Sequence, residues 1–67
     1  MPGTFRKIEI VGTSPVSFAE ATKAGIADAS KKIENMSWFE VIDQRGNIKD
    51  GKVDEFQVVL RIGARID

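Results

Sequence analysis

The chain has no cysteine, no histidine and no tyrosine, and a single tryptophan among its 67 residues. Those gaps close off much chemistry. Without cysteine no disulfide can form, and without cysteine and histidine a structural zinc site has lost its usual ligands. Ser-His and Cys-His nucleophile pairs are excluded as well. No run approaches the ~18 apolar residues of a membrane span, and the N-terminus shows no apolar signal segment, so neither is expected. An excess of one charge is also lacking. Ten acidic and ten basic residues cancel, leaving no global field to draw the protein onto nucleic acid or an anionic membrane. A cysteine-free chain fits a cytoplasmic setting.

A chain of this length reads as one domain, residues 1–67. A domain so small buries only about 60% of its unfolded surface, and one core rarely supplies more than roughly 3–5 kcal/mol. With disulfides and zinc excluded, oligomerisation is the remaining way to stabilise it.

The hydrophobic pattern has four parts. Residues 4–12 alternate as a strand, with Ile8 and Ile10 on one face, and Gly12-Thr13-Ser14-Pro15 reads as a turn. A helix follows. Either Ser14 caps it with Pro15 at the first helical position, or Ser17 and Glu20 form a capping box; the second start is favoured. Its stripe is Phe18, Thr22, Ile26, Ala29, Ile33 and Met36, narrow because Gly25 and the alanines are small, and it should end near Asn35. Next comes the strand Trp38-Phe39-Glu40-Val41-Ile42-Asp43-Gln44-Arg45. Counting by twos, Phe39 and Val41 form the inner face, while Trp38, Glu40, Ile42 and Gln44 face away from the subunit's own core. Residues 47–52 carry a hairpin turn centred on Asp50-Gly51.

The last strand, from about Lys52 to Ile66, alternates most clearly. Phe56, Val58, Leu60, Ile62, Ala64 and Ile66 share one face; Glu55, Gln57, Val59, Arg61, Gly63 and Arg65 share the other. Fifteen extended residues span roughly 45–50 Å, whereas a compact chain of this length has a radius of gyration of about 11 Å. The strand must therefore bend around the helix, run past its own subunit, or both. The expected fold is α+β, a β-α-β-β subunit with a three-stranded antiparallel sheet wrapped around one helix. One helix covers one sheet face, which leaves the Trp38 and Gln57 face open.

Trp38, Gln57, Arg45, Asp43 and Arg65 lie on or at the ends of two hairpin-joined strands and could converge on one outer surface. Tryptophan offers a stacking plane, glutamine a paired donor and acceptor, arginine a fork for phosphate, and aspartate an acceptor for sugar hydroxyls. A planar heterocycle with a phosphorylated polyol tail would use all four. Composition alone favours a plainer reading, because tryptophan is enriched at protein interfaces and surface arginines usually form weak ion pairs. A structural β-α-β-β assembly module without a ligand stays open on these grounds.

The collinear set Ile8-Glu9-Ile10-Val11-Gly12-Thr13-Ser14, Trp38-Phe39-Glu40-Val41, Arg45-Gly46, Phe56-Gln57-Val58 and Ile62-Gly63-Ala64-Arg65 resembles the dodecins, small flavin-binding proteins of bacterial type. The resemblance covers nearly the whole chain. It implies a non-enzymatic homododecamer built from trimers, which stores flavin and protects it from light. The bacterial type favours FMN, with riboflavin and FAD as related ligands and coenzyme A as a further ligand left open. By the same resemblance Trp38 stacks on the isoalloxazine, one of two flavins held face to face between two tryptophans. Gln57 bonds the polar edge of the ring, Asp43 meets the ribityl chain, Arg45 matches the arginine of bacterial-type members, Arg65 lies where a phosphate contact would fall, and Arg6 is a further ligand-binding residue. Ala64 departs from members that carry a larger aromatic there.

Overall fold

The computed structural model describes residues 2–67. It contains β1 (Phe5–Ser14), α1 (Phe18–Ala29), β2 (Met36–Lys49) and β3 (Lys52–Arg65). The sheet is antiparallel throughout in the order β1-β3-β2, so the longest run of alternation in the sequence becomes the central strand.

The helix starts at Ser17, the favoured cap. Ser17 is extended, and its hydroxyl accepts from the Glu20 amide at 3.0 Å. The rival cap, Ser14, is occupied otherwise: its buried hydroxyl accepts from the Val16 amide. The helix ends at Ala29, earlier than its periodicity suggests. Lys31 and Lys32 donate three residues back, to Asp28 and Ala29, so the last turn tightens and the chain leaves the helical path. Asn35 does take the left-handed conformation, with φ of 60°, and its carbonyl accepts from the Arg65 amide. Asn35 therefore steers the chain into β2 and does not close α1.

Gly12-Thr13-Ser14, expected as a turn, continues β1 and pairs with Val58, Gln57 and Phe56. Cross-strand pairing overrides local turn chemistry here. The helix rests where side chains are smallest. Ala21, Gly25 and Ala29 are its buried residues, with Phe18, Thr22 and Ile26 half-buried around them. A Cβ on Gly25 would lie 3.0 Å from the Gly12 Cα, and one on Gly12 would overlap the Ala21 carbonyl oxygen. Two glycines thus bring helix and sheet to backbone contact. The core is Val58, Leu60, Ile62 and Ala64, each no more than 2% exposed, under Ala21. Phe18 closes one end by edge-on contact with Phe56, with centroids 5.0 Å apart. Ala64 is fully packed despite its small side chain.

The helix packs on β1 and β3. Phe39 and Val41 do face the helix side, opposite Ile62 and Leu60, yet they remain 48% and 46% exposed because nothing in the subunit reaches them. The molecule measures 51 × 20 × 14 Å with a radius of gyration of 13.7 Å, well above the ~11 Å of a compact chain this size. The excess comes from the β2–β3 hairpin, which runs past the end of β1 to a tight turn at Asp50 and Gly51, φ 52° and 75°. Positive φ at both central residues is the turn that matches strand twist.

Candidate functional site

Side chains on the sheet face away from the helix are set by the β3 alternation of Gln57, Val59, Arg61 and Gly63. Two bulges in β2 decide what joins them. Ser37 is an extra residue between Met36, opposite Ala64, and Trp38, opposite Gly63. It turns Met36 to the helix side and Trp38 to the outer side. Ile42 is a second extra residue, between Val41 opposite Leu60 and Asp43 opposite Val59. Strict alternation would put Gln44 beside Trp38 and send Asp43 and Arg45 to the helix side. The bulge reverses this: Asp43 and Arg45 share the outer face with Trp38, and Gln44 lies opposite the core residue Val58.

Trp38 reaches from β2 across the central strand. A methyl group built on Gly63 would come within 2.5 Å of the indole Cδ2 and closer still to Cε2 and Cζ2. The ring therefore lies with one face against bare backbone. Phe5 stands at its rim on β1, centroids 5.9 Å apart and planes tilted by 52°. The Lys7 ammonium is 5.8 Å from the ring centroid and pairs with Glu40 at 2.6 Å. Trp38 keeps 40% exposure; the backbone of Gly63 lies against its inner face and the Lys7 ammonium stands over the ring. The part left open lies on the outer side of the indole.

The polar residues gather at the other end of the strand. The Gln57 carboxamide oxygen accepts from Arg45 Nε at 3.2 Å, and its nitrogen donates to Glu55 at 2.9 Å. The amide is thereby oriented, with one further lone pair and one N–H still able to meet a ring edge. Between the two ends runs a neutral belt of ion pairs, Lys7–Glu40 and Glu9–Arg61. At this exposure such pairs contribute about 0–1 kcal/mol each. Arg65 belongs to the Trp38 end; its guanidinium stacks 5.7 Å from Phe5 and donates to Asp67 at 2.8 Å. Arg6 pairs with Ala64 and so stands on the helix side, away from the other five.

Trp38 and Gln57 therefore share a face without converging in one subunit. Trp38 lies opposite Gly63, which is six residues from Gln57 along β3, roughly 20 Å at the rise of an extended strand. Gly63, Phe5, Lys7 and Glu55 join the site although nothing in the sequence pattern assigns them a role in it. A glycine inside a strong alternation, a common sign of close approach, was the available signal for the first. Among the described residues no acidic cluster could hold a metal, and no helix is long and apolar enough to cross a membrane.

The family model for dodecin matches residues 4–67. The chain belongs to the dodecin family. Over its full length it is 40% identical to dodecin from Thermus thermophilus, covering 97% of that protein. Dodecin from Streptomyces davaonensis superposes with a TM-score of 0.94, at 40% identity over 100% of this chain and 98% of that one. A W38F variant of the T. thermophilus protein superposes at 0.90, with 38% identity over 98% of both chains. Dodecins are small flavin-binding proteins and generally not enzymes.

Proposed function

We propose that this dodecin binds FMN without reacting it, as a store and light shield, in a homododecamer assembled from trimers. The observation that carries the reading is the indole of Trp38, seated on Gly63 on the outer side of the sheet and still 40% exposed within its own subunit. A flat apolar ring so placed is a stacking platform. When bound, FMN supplies a redox-active, light-absorbing ring; Trp38 would cover one face of it and quench its excited state.

The separation of Trp38 from Gln57 adds a requirement. No fused three-ring heterocycle spans roughly 20 Å, so a flavin that meets both must take them from two copies of the chain. The exposed Phe39 and Val41 on β2 give those copies an apolar surface to share. Arg45 and Gln57 would then hold the polar edge and tail of the ligand, with Asp43 beside them on the same face, and Arg65 would serve at the Trp38 end. Two flavins stacked between the tryptophans of two copies leave no ring face for a substrate. Riboflavin and FAD share the ring and are expected to bind at the same place.

Titration of flavin-free protein with FMN tests this, read by flavin fluorescence beside the size-exclusion volume. FMN should be quenched on binding to a large oligomer, and Trp38→Ala should weaken binding by about 1–3 kcal/mol while the oligomer persists. If FMN keeps its fluorescence and Trp38→Ala dissociates the oligomer, the Trp38 surface is protein contact and the flavin reading falls.

A further inference from the structure

Gly63 sits in the central strand between Lys7 and Trp38, at a position where the alternation offers a side chain to the outer face. Glycine is a poor strand residue, so its presence there asks for a cause. Backbone geometry is not the cause, because the positive-φ glycine is Gly51 and any residue could adopt the conformation at position 63. What bars a side chain is the indole, three of whose carbons crowd the space a Cβ would take. We propose that Gly63 is a positioning residue for flavin binding: the missing Cβ lets Trp38 lie flat on the sheet and sets the height and tilt of its free face. Phe5 flanks the ring, and the Lys7 ammonium, held by Glu40, stands over it. The inference rests on the flavin reading above, but its first half concerns only Gly63 and Trp38.

The test is Gly63→Ala, alone and combined with Trp38→Ala. The atoms a new methyl would strike belong to a half-exposed side chain that can swing away, so the variant should fold with the oligomeric size of the parent. Its tryptophan, the only one in the chain, should emit further to the red as the ring lifts into water. FMN affinity should fall about tenfold or more, the scale of losing a good stacking contact. Quenching of the residual bound flavin should be incomplete. In the Trp38→Ala background the same change should alter FMN affinity less than about twofold, because a residue acting through the indole has nothing left to position. Unchanged emission, or an equal loss of affinity in both backgrounds, overturns the proposal.

Should Gly63→Ala alone fail to fold, the double variant decides. With the indole removed a methyl has room, so a folded double variant upholds the assignment and an unfolded one overturns it. A parent protein that binds no FMN would end the flavin reading, while the emission comparison would still decide whether Gly63 seats the ring.

Discussion

If Trp38 and Gln57 of one site come from different copies, two crippled chains should repair each other. Copies carrying Trp38→Ala lack the platform and copies carrying Gln57→Ala lack the edge contact. Each alone should bind FMN weakly. The first loses about 1–3 kcal/mol of stacking, and the second about 0.5–1.5 kcal/mol for each hydrogen bond removed. In oligomers assembled at random from equal amounts of both, a site draws its tryptophan from an intact copy half the time and its glutamine likewise. About a quarter of the sites should then regain both groups.

Co-expression of the two variants, followed by FMN titration of the purified mixture, reads this out. A minor class of tight, fully quenched sites should emerge that neither variant shows alone. The structure makes the opposite case hard to satisfy, since roughly 20 Å of β3 separates the two side chains within one copy. A mixture that behaves as the plain average of its parents, with no tight class, would refute the two-copy site.

Much of this geometry follows from alternation, which is strong where burial is strong. The β3 pattern is readable because Val58, Leu60 and Ile62 are sealed on one side and Gln57 and Arg61 are not. The outward placement of Trp38 is legible for the same reason, and Asp50-Gly51 carries its turn in its own chemistry. Other features depend on partners distant in sequence. Gly12 to Ser14 have turn residues but lie beside an unfinished central strand, and its hydrogen bonds claim them. Phe39 and Val41 face the expected side yet stay bare, since α1 is centred on the Gly12–Gly25 contact and lies over β1 and β3. The bulges at Ser37 and Ile42 leave no mark in composition. Period-two counting therefore misplaces Gln44, whereas the grouping of Asp43 and Arg45 with Trp38 on one outer surface agrees with the register that the Ile42 bulge sets. The seat of the indole on Gly63 was equally hidden, because it couples two residues 25 positions apart.

Three further outcomes follow from the same structure. Gly12→Ala forces a methyl into the Ala21 carbonyl, a backbone atom that cannot swing aside; a loss of about 1–3 kcal/mol is expected in thermal or urea unfolding, and an unchanged midpoint would refute the backbone contact. Gly51→Ala meets open space but keeps a φ of 75°, so about 1–2 kcal/mol should be lost with FMN affinity intact. The third is the deletion of Ile42. Removing a residue from a strand ordinarily flips every side chain beyond it to the other face. Here it should not, because Ile42 is the extra residue: Val41 stays opposite Leu60, Asp43 opposite Val59 and Arg45 opposite Gln57. The shortened protein should keep its Arg45–Gln57 pairing and FMN affinity, whereas deletion of Glu40, a regularly paired neighbour, should disrupt both. Loss of binding on removal of Ile42 as large as that caused by Gln57→Ala would show that the bulge shapes the site directly and does more than set which residues face it.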